Sequence, residues 1–332
     1  MRAVVVRQLG DPDVMQLGEL PTPIPGDHEL LVAVYATSVN PVDTKIRQGV
    51  RPRELPLVLG YDLSGVVVSC GSQVRGWHVG DEVFGCPNVF RYGANAEFAL
   101  LDARAAARKP RTLDHLHAAC LPLVSLTAYE ALHERVRIQP GQTLLIHAGA
   151  GGVGHIAVQL AHLHGCRVIT TAGRAETIAF CRDVLKADEV IDYRNTDFVA
   201  RVKELTAGHG VAAIFDTVGG ETFTRSFDCL ALSGHLVSIL GGDLGPTAAS
   251  FLYRNITVHY EFMGARVAYD QQPERHGEIL TGIAQLVDAG LLQVHVSSEW
   301  ALDNLAAAHR EIEQGRTIGK MAVRVRADIE EG

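Results

Sequence analysis

The sequence predicts a two-part α/β protein: a β-rich portion at the amino end, then a doubly wound parallel sheet. Three observations predict this. Residues 1–120 carry short valine-rich, alternating runs broken by proline and glycine. From Gln142 onward, apolar strand runs and runs of helical period alternate. The chain has 332 residues, and single cores stop growing at roughly 250–300 residues, so two cores are expected.

In the β-rich portion, strands are expected over residues 3–7, 29–37, 65–70, 82–85 and 96–100, each an apolar alternation rich in valine or leucine. Pro21, Pro23 and Pro25 break the chain between the first two, and Gly71, Gly76, Gly80 and Gly85 punctuate the later ones. A helix is expected over 124–134, followed by a Pro140-Gly141 turn. The alternating portion then reads strand 144–148, helix 152–164, strand 167–172, helix 175–185, strand 189–192, helix 197–206, strand 212–217, helix 221–229 and strand 234–240, with 257–262 as a sixth strand. A late helix at 276–289, an extended run at 295–300, a helix at 303–313 and a strand at 320–325 close the chain. The last two fit neither portion neatly and are read as returning to the first. The expected domains are 1–121 with 291–332, and 122–290.

The junction of the first strand and helix of the parallel sheet carries the chemistry. Leu144 to Ala148 run into Gly149, Gly151 and Gly154, spaced G-x-G-x-x-G. Val153, Ile156, Ala157, Leu160 and Ala161 follow at helical period. Strand, glycine turn and helix in that order are the context for dinucleotide binding. Gly149 is expected to make the tight turn, Gly151 to admit a pyrophosphate to the backbone, and Gly154 to let helix pack on strand. With Ala150, Gly152 and Val153 they form the expected phosphate cradle, at the positive end of the helix dipole. A glycine-rich turn in another α/β protein is the alternative.

The next strand ends in Thr171-Ala172-Gly173-Arg174. A site for NAD places an acid there to bind the ribose hydroxyls. Here there is none, and Arg174 stands where a 2′-phosphate would lie, a group guanidinium pairs with well. Glu176 is read as a first-turn helix residue. NADP(H) is the expected cofactor, with a solvated loop arginine as the alternative reading of Arg174.

Charge and composition exclude several classes. Net charge is −8, from 30 basic and 38 acidic residues, with no basic run of the nucleic-acid or membrane-surface type. No apolar stretch approaches the roughly 18 residues of a membrane span. The apolar run after Met1 is too short for a signal peptide. A soluble, cytoplasmic protein is expected, without nucleic-acid or membrane partners. Cys70, Cys86, Cys120, Cys166, Cys181 and Cys229 form no C-x-x-C and are read mostly as buried thiols. His115/His117 and His162/His164 are i,i+2 pairs that point to different sides of a helix, so no metal is expected from them.

Several elements together point to a family: Asn40-Pro41-Val42-Asp43, Leu59-Gly60-Tyr61-Asp62-Leu63-Ser64-Gly65, Val79-Gly80-Asp81-Glu82-Val83, Leu126-Thr127-Ala128-Tyr129-Glu130-Ala131-Leu132, the glycine turn, Asp192-Tyr193-Arg194 and Gly319-Lys320. Over essentially its full length the chain resembles the medium-chain dehydrogenase/reductase superfamily, and within it the zinc-free quinone oxidoreductase branch that includes zeta-crystallin. The resemblance implies a GroES-like β-rich substrate domain, a Rossmann domain and an active site in the cleft between them. The zinc alcohol dehydrogenases of the superfamily are the rival. They carry Cys where this chain has Asn40, and G-H-E where it has Gly60-Tyr61-Asp62. Between Glu82 and Phe98 there is only Cys86, so the four-cysteine structural zinc lobe is missing.

The resemblance also implies site residues. Asn40 and Thr127 are expected near the nicotinamide, able to hydrogen-bond the substrate carbonyl or the carboxamide. Tyr193 is expected on the 2′-phosphate. Asp216, Gly241, Gly242 and Phe262 are expected beside the nicotinamide half. Lys320 and Arg316 are expected to reach the cofactor phosphates. Tyr61, in the place of the zinc-binding histidine, is expected in the cleft as proton donor or carbonyl orienter, with packing as its alternative. Asp43 and Asp62 read as acids or as structural acceptors, and Tyr92 as a further cleft residue. Lys45 and Arg51 stand where the branch often carries tyrosines, which puts a simple quinone preference in doubt and suits a polar or anionic acceptor; solvated surface charges are the alternative.

The expected activity is NADPH-dependent, zinc-independent hydride transfer to a quinone or an α,β-unsaturated carbonyl. An enoyl-thioester reductase, a cofactor-binding structural or sensor protein without turnover, and a zinc alcohol dehydrogenase are the alternatives. Pairing of sheet edges is expected to make a homodimer.

Overall fold

The computed structural model describes residues 1–50, 53–244 and 248–326, the side chains of 248–250 excepted. Arg51 therefore lies outside the described residues. The chain divides into two compact units, one of them Thr127–Met263 and the other formed by the residues before and after it. Among the described residues no helix is long and apolar enough to cross a membrane.

The outer unit is the GroES-like half, built on a long strand, Glu29–Val39, that pairs antiparallel with Leu63–Cys70, Phe98–Asp102 and Lys320–Arg324. Val296–Ala301 and Glu82–Gly85 extend the sheet on either side, with Ala107–Arg108 beyond. A second sheet joins Met15–Glu19, Arg2–Val6 and Leu57–Val58. The final strand reaches this unit by register: Met321 stands opposite Val39 and Arg324 opposite Ala36. That pairing brings Lys320 to the end of the long strand, beside Asn40.

The late helix differs from expectation. It spans Glu274–Asp288 and packs on the outer unit, where its Asp288 accepts from the Thr112 amide and hydroxyl at 3.0 Å. A Cβ on its Gly277 would come within 2.4 Å of the Arg104 carbonyl. Its amphipathic period says that one face is buried, not against which sheet. A short helix, Pro41–Arg47, is also present among the expected strands. Asn40, Pro41 and Asp43 are a helix-start signal, and the Asp43 carboxylate accepts from the Asn40 amide at 2.9 Å.

The inner unit is a six-stranded parallel sheet in the order Glu189–Asp192, Arg167–Ala172, Thr143–Ile146, Val211–Asp216, Leu230–Ser238, Thr257–Tyr260. The first four strands bury Leu145, Ile169, Ile191 and Ile214 in one cluster with Phe198, Phe223 and Phe227. The helix expected near 124–134 begins at Pro122 and widens to π geometry over Glu130–Val136.

Close packing at the glycine turn sets a first prediction. A Cβ on Gly154 would lie 2.2 Å from the Ala148 carbonyl oxygen, a backbone atom that cannot swing away. Gly154→Ala is expected to destabilise the protein by about 1–3 kcal/mol, the usual range for overpacking. Chemical denaturation measures it, and an unchanged midpoint refutes it.

Candidate cofactor cradle and buried polar cluster

Within the inner unit, Thr143–Ile146 leads through the glycine turn into the helix Gly152–Leu163. The left-handed residue of the turn is Ala148, at φ 52°, not Gly149. Gly149 is required for another reason: a Cβ there would sit 2.2 Å from the Thr170 hydroxyl on the neighbouring strand. Gly151 is the N-cap, and the first closed helical bond runs from the His155 amide to its carbonyl at 3.0 Å. The amides of Gly152, Val153 and Gly154 precede that bond and lack intrahelical partners. A Cβ on Gly151 would meet only the Ala148 carbonyl, at 3.2 Å, and Ala150 is buried beside it. The turn thus offers bare backbone and a helix N-terminus, which fits a pyrophosphate.

The neighbouring strand end fits a phosphorylated ribose. Arg174 caps the helix Ala175–Ala179, whose first turn carries Glu176. The Tyr193 ring lies over Gly173, so closely that a Cβ there would come within 2.5 Å of it. The Tyr193 amide donates to the Ala172 carbonyl at 3.1 Å, which ties the ring to the strand end. Asp192, at the end of the adjacent strand, is turned into its own loop and accepts from the Arg194 amide and the Asn195 side chain.

Other expected neighbours of the nicotinamide divide. Asp216 is fully buried, and its carboxylate accepts from the Val218 and Gly219 amides and the Ser238 hydroxyl. Ser238 Oγ in turn accepts from the Gly241 amide at 2.8 Å. Asp216 therefore shapes the turn carrying Gly241, at φ 74°, and offers no uncommitted oxygen. A Cβ on Gly242 would meet the Phe223 ring at 2.8 Å. Phe262 is exposed and Thr127 buried.

Sequence reasoning missed an acid pair in this unit. Glu130 and Glu261 are both buried and interact with each other, and Arg135 Nε lies 2.7 Å from Glu261. Burial first, then Glu130, pushes the Glu261 carboxyl up to about 9. A raised folded-state value means that the folded protein holds this proton more tightly than the unfolded chain. The associated stability is full below the ordinary glutamate range and is lost as pH rises through about 9. Glu261→Gln is expected to flatten the decline of stability between pH 5 and 9, the window between the ordinary carboxyl range and that raised value. Denaturation at several pH values tests it, and an unaltered slope refutes it.

In the outer unit, several expected site residues meet at a buried carboxylate. Asp62, at 0% exposure, accepts from Ser38 Oγ at 2.6 Å, Asn40 Nδ2 at 2.7 Å and the Leu123 amide at 2.7 Å. Lys320 Nζ lies 3.4 Å from the same carboxylate and donates to Asn40 Oδ1 at 2.5 Å and to the Val39 carbonyl. Lys320 is thus not a reach toward cofactor phosphates: its ammonium is buried, with acceptors for all three protons. Asp43 accepts from the Asn40 and Gly60 amides, and burial pushes its carboxyl up to about 7 despite those bonds.

Tyr61 takes its alternative reading. It is 3% exposed and packs with Val4, Val6, Ile46, Leu59 and Met321. Burial, then the Asp43 charge, holds its phenol well above the usual range, so the proton stays on. Tyr92 is exposed and lines a cavity of about 140 Å³ in which Glu29 is paired with Arg91 and Asp102 with Arg104.

The donors at the cluster do not fit zinc. Asn40 and Tyr61 are poor ligands beside thiolate and imidazole, and the Asp62 carboxylate already faces an ammonium. Among the described residues no group of three His, Cys, Asp or Glu side chains is arranged to hold a metal.

Residues 26–111 match the family model "Alcohol dehydrogenase GroES-like domain" and residues 185–323 match "Zinc-binding dehydrogenase". A "zinc-type alcohol dehydrogenase-like protein" of Staphylococcus epidermidis is 35% identical over 317 residues, 92% of this chain and 93% of its own. The chain belongs to the medium-chain dehydrogenase/reductase superfamily. Among solved superfamily members, an alcohol dehydrogenase superfamily protein from Novosphingobium aromaticivorans superposes with a TM-score of 0.91 at 34% identity, covering 98% of this chain and 100% of that one. The Escherichia coli quinone oxidoreductase, solved in complex with NADPH, superposes with a TM-score of 0.89 at 30% identity, again over 98% and 100%. The names of these superfamily members divide between zinc-type dehydrogenase and quinone oxidoreductase.

Proposed function

We propose that this superfamily member is an NADPH-dependent, zinc-independent reductase of quinones or α,β-unsaturated carbonyls. The observation that carries the reading is the Asn40–Asp62–Lys320 cluster, which puts an amide and an ammonium where a metal would need ligands. Oxidation of an alcohol through a metal alkoxide lacks its Lewis acid there. Reduction of an activated double bond or a quinone needs none. The quinone oxidoreductase relative bound to NADPH supports the same choice.

NADPH, when bound, supplies a hydride. The protein's part is to bind and orient. The amides of Gly152, Val153 and Gly154 hold the pyrophosphate at the helix N-terminus. Arg174 and the Tyr193 hydroxyl hold the 2′-phosphate, and the acid-free strand end leaves it room. Asn40 offers an N–H to an oxygen of the acceptor.

The test is loss of reduced-nicotinamide absorbance with benzoquinone, phenanthrenequinone, an alkenal and a crotonyl thioester, each with NADPH or NADH and with or without EDTA. EDTA-insensitive turnover that prefers NADPH supports the reading, and the best acceptor decides between quinone and enoyl chemistry. Firm NADPH binding without turnover on any acceptor favours a non-catalytic role.

A homodimer is part of the proposal. Thr257–Tyr260 ends the sheet order, and its last residue, Tyr260, is exposed. Light scattering is expected to give twice the chain mass of 35.8 kDa, and a single-chain mass rejects the dimer.

A further inference from the structure

The Asp62 carboxylate gathers donors from the end of the long strand (Ser38, Asn40), the start of the Pro122–Tyr129 helix (Leu123) and the first residue of the last strand (Lys320). Within that cluster the Asn40 side chain is bracketed by opposite charges. Its nitrogen faces the carboxylate at 2.7 Å and its oxygen faces the ammonium at 2.5 Å. We propose that Asp62 and Lys320 are a positioning pair that locks the Asn40 amide in one orientation, leaving a single N–H as the donor for a carbonyl oxygen of the acceptor. The inference rests on the reductase reading above.

Electrostatics decide the orientation. Flipped, the amide would set its oxygen against a carboxylate and its NH₂ against an ammonium, two repulsive contacts in a buried site. Locked, its oxygen is taken by Lys320 and one nitrogen proton by Asp62, so the second nitrogen proton is what remains. Asn40 is 2% exposed, so a ligand meets one polar atom of it at most. That atom is a donor, which suits a quinone or enone oxygen and leaves the O–H of an alcohol no acceptor on this side chain. Asp43 is the second acid of the cluster. It is held by the Asn40 and Gly60 amides and does not compete for the amide side chain.

The test compares Lys320→Met, Asp62→Asn and the double variant with the parent. The readouts are kcat for the best acceptor, NADPH affinity by fluorescence, and the Asn40 side-chain amide resonances, assigned by their loss in Asn40→Asp. The singles are expected to lose kcat by about ten- to a hundredfold, as misplaced catalytic contacts do, with NADPH affinity unchanged. The double variant removes both charges together and is expected to fold well while kcat stays low, because nothing then orients the amide. The Asn40 resonances are expected to shift in every variant. A well-folded double variant with parental kcat overturns the proposal, as does loss of NADPH affinity with kcat intact, which would assign the N–H to the cofactor's carboxamide. Should the parent turn over no carbonyl acceptor, the reductase reading fails by itself. The Asn40 resonances still test the lock, and resonances indifferent to Lys320→Met overturn it.

Discussion

Lys320→Met is expected to destabilise the protein by about 3–5 kcal/mol, the cost of leaving one member of a buried ion pair without its partner. The side chain is 3% exposed and its partner Asp62 fully buried, so water cannot replace the lost ammonium. Asn40 Oδ1 and the Val39 carbonyl would lose a donor at the same time. The loss is concentrated where Lys320–Arg324 joins Glu29–Val39, a pairing between opposite ends of the chain. Asp62→Asn in the same background is expected to recover part of the loss, because a neutral amide costs less to bury than an unpaired carboxylate. Urea denaturation of the single and double variants makes the measurement. A single variant as stable as the parent would show that the pair is not coupled.

Arg174→Ala is expected to weaken NADPH by about ten- to a hundredfold, equivalent to roughly 1.5–3 kcal/mol for a hydrogen bond to a charged group. NADH carries no 2′-phosphate, so its constants should hardly move. The Tyr193 ring over Gly173 should keep the adenosine side of the site in shape in this variant. Parallel titrations with the two reduced cofactors decide the matter. Equal weakening of both would move Arg174 from phosphate recognition to support of the Ala175–Ala179 helix that it caps.

Both predictions concern charged residues, yet only one of their roles is legible in the chain. Arg174 follows the second strand of the parallel sheet at a fixed distance from the glycine turn, and local order alone places it. Lys320 carries no such mark. Its partners lie some 260 to 280 residues away in sequence. The same contrast separates Gly154, whose close packing the motif announces, from Gly149, whose neighbour Thr170 comes from another strand.

Neighbouring residues along the chain already specify the fold class, the succession of strands and helices, the glycine turn and the absence of an acid after the second strand of the parallel sheet. Those features repeat with the period of a strand or helix, or sit within a few residues of one turn, and are written in neighbouring side chains. Long-range packing alone places the Glu274–Asp288 helix on the outer unit, buries Tyr61 among apolar side chains, turns the Asp216 carboxylate into its own loop and sets Lys320 against Asp62 and Asn40. Each of these depends on which distant backbone supplies the opposing surface or charge. Burial then converts that placement into chemistry, because a polar group removed from water must find its partners within the fold.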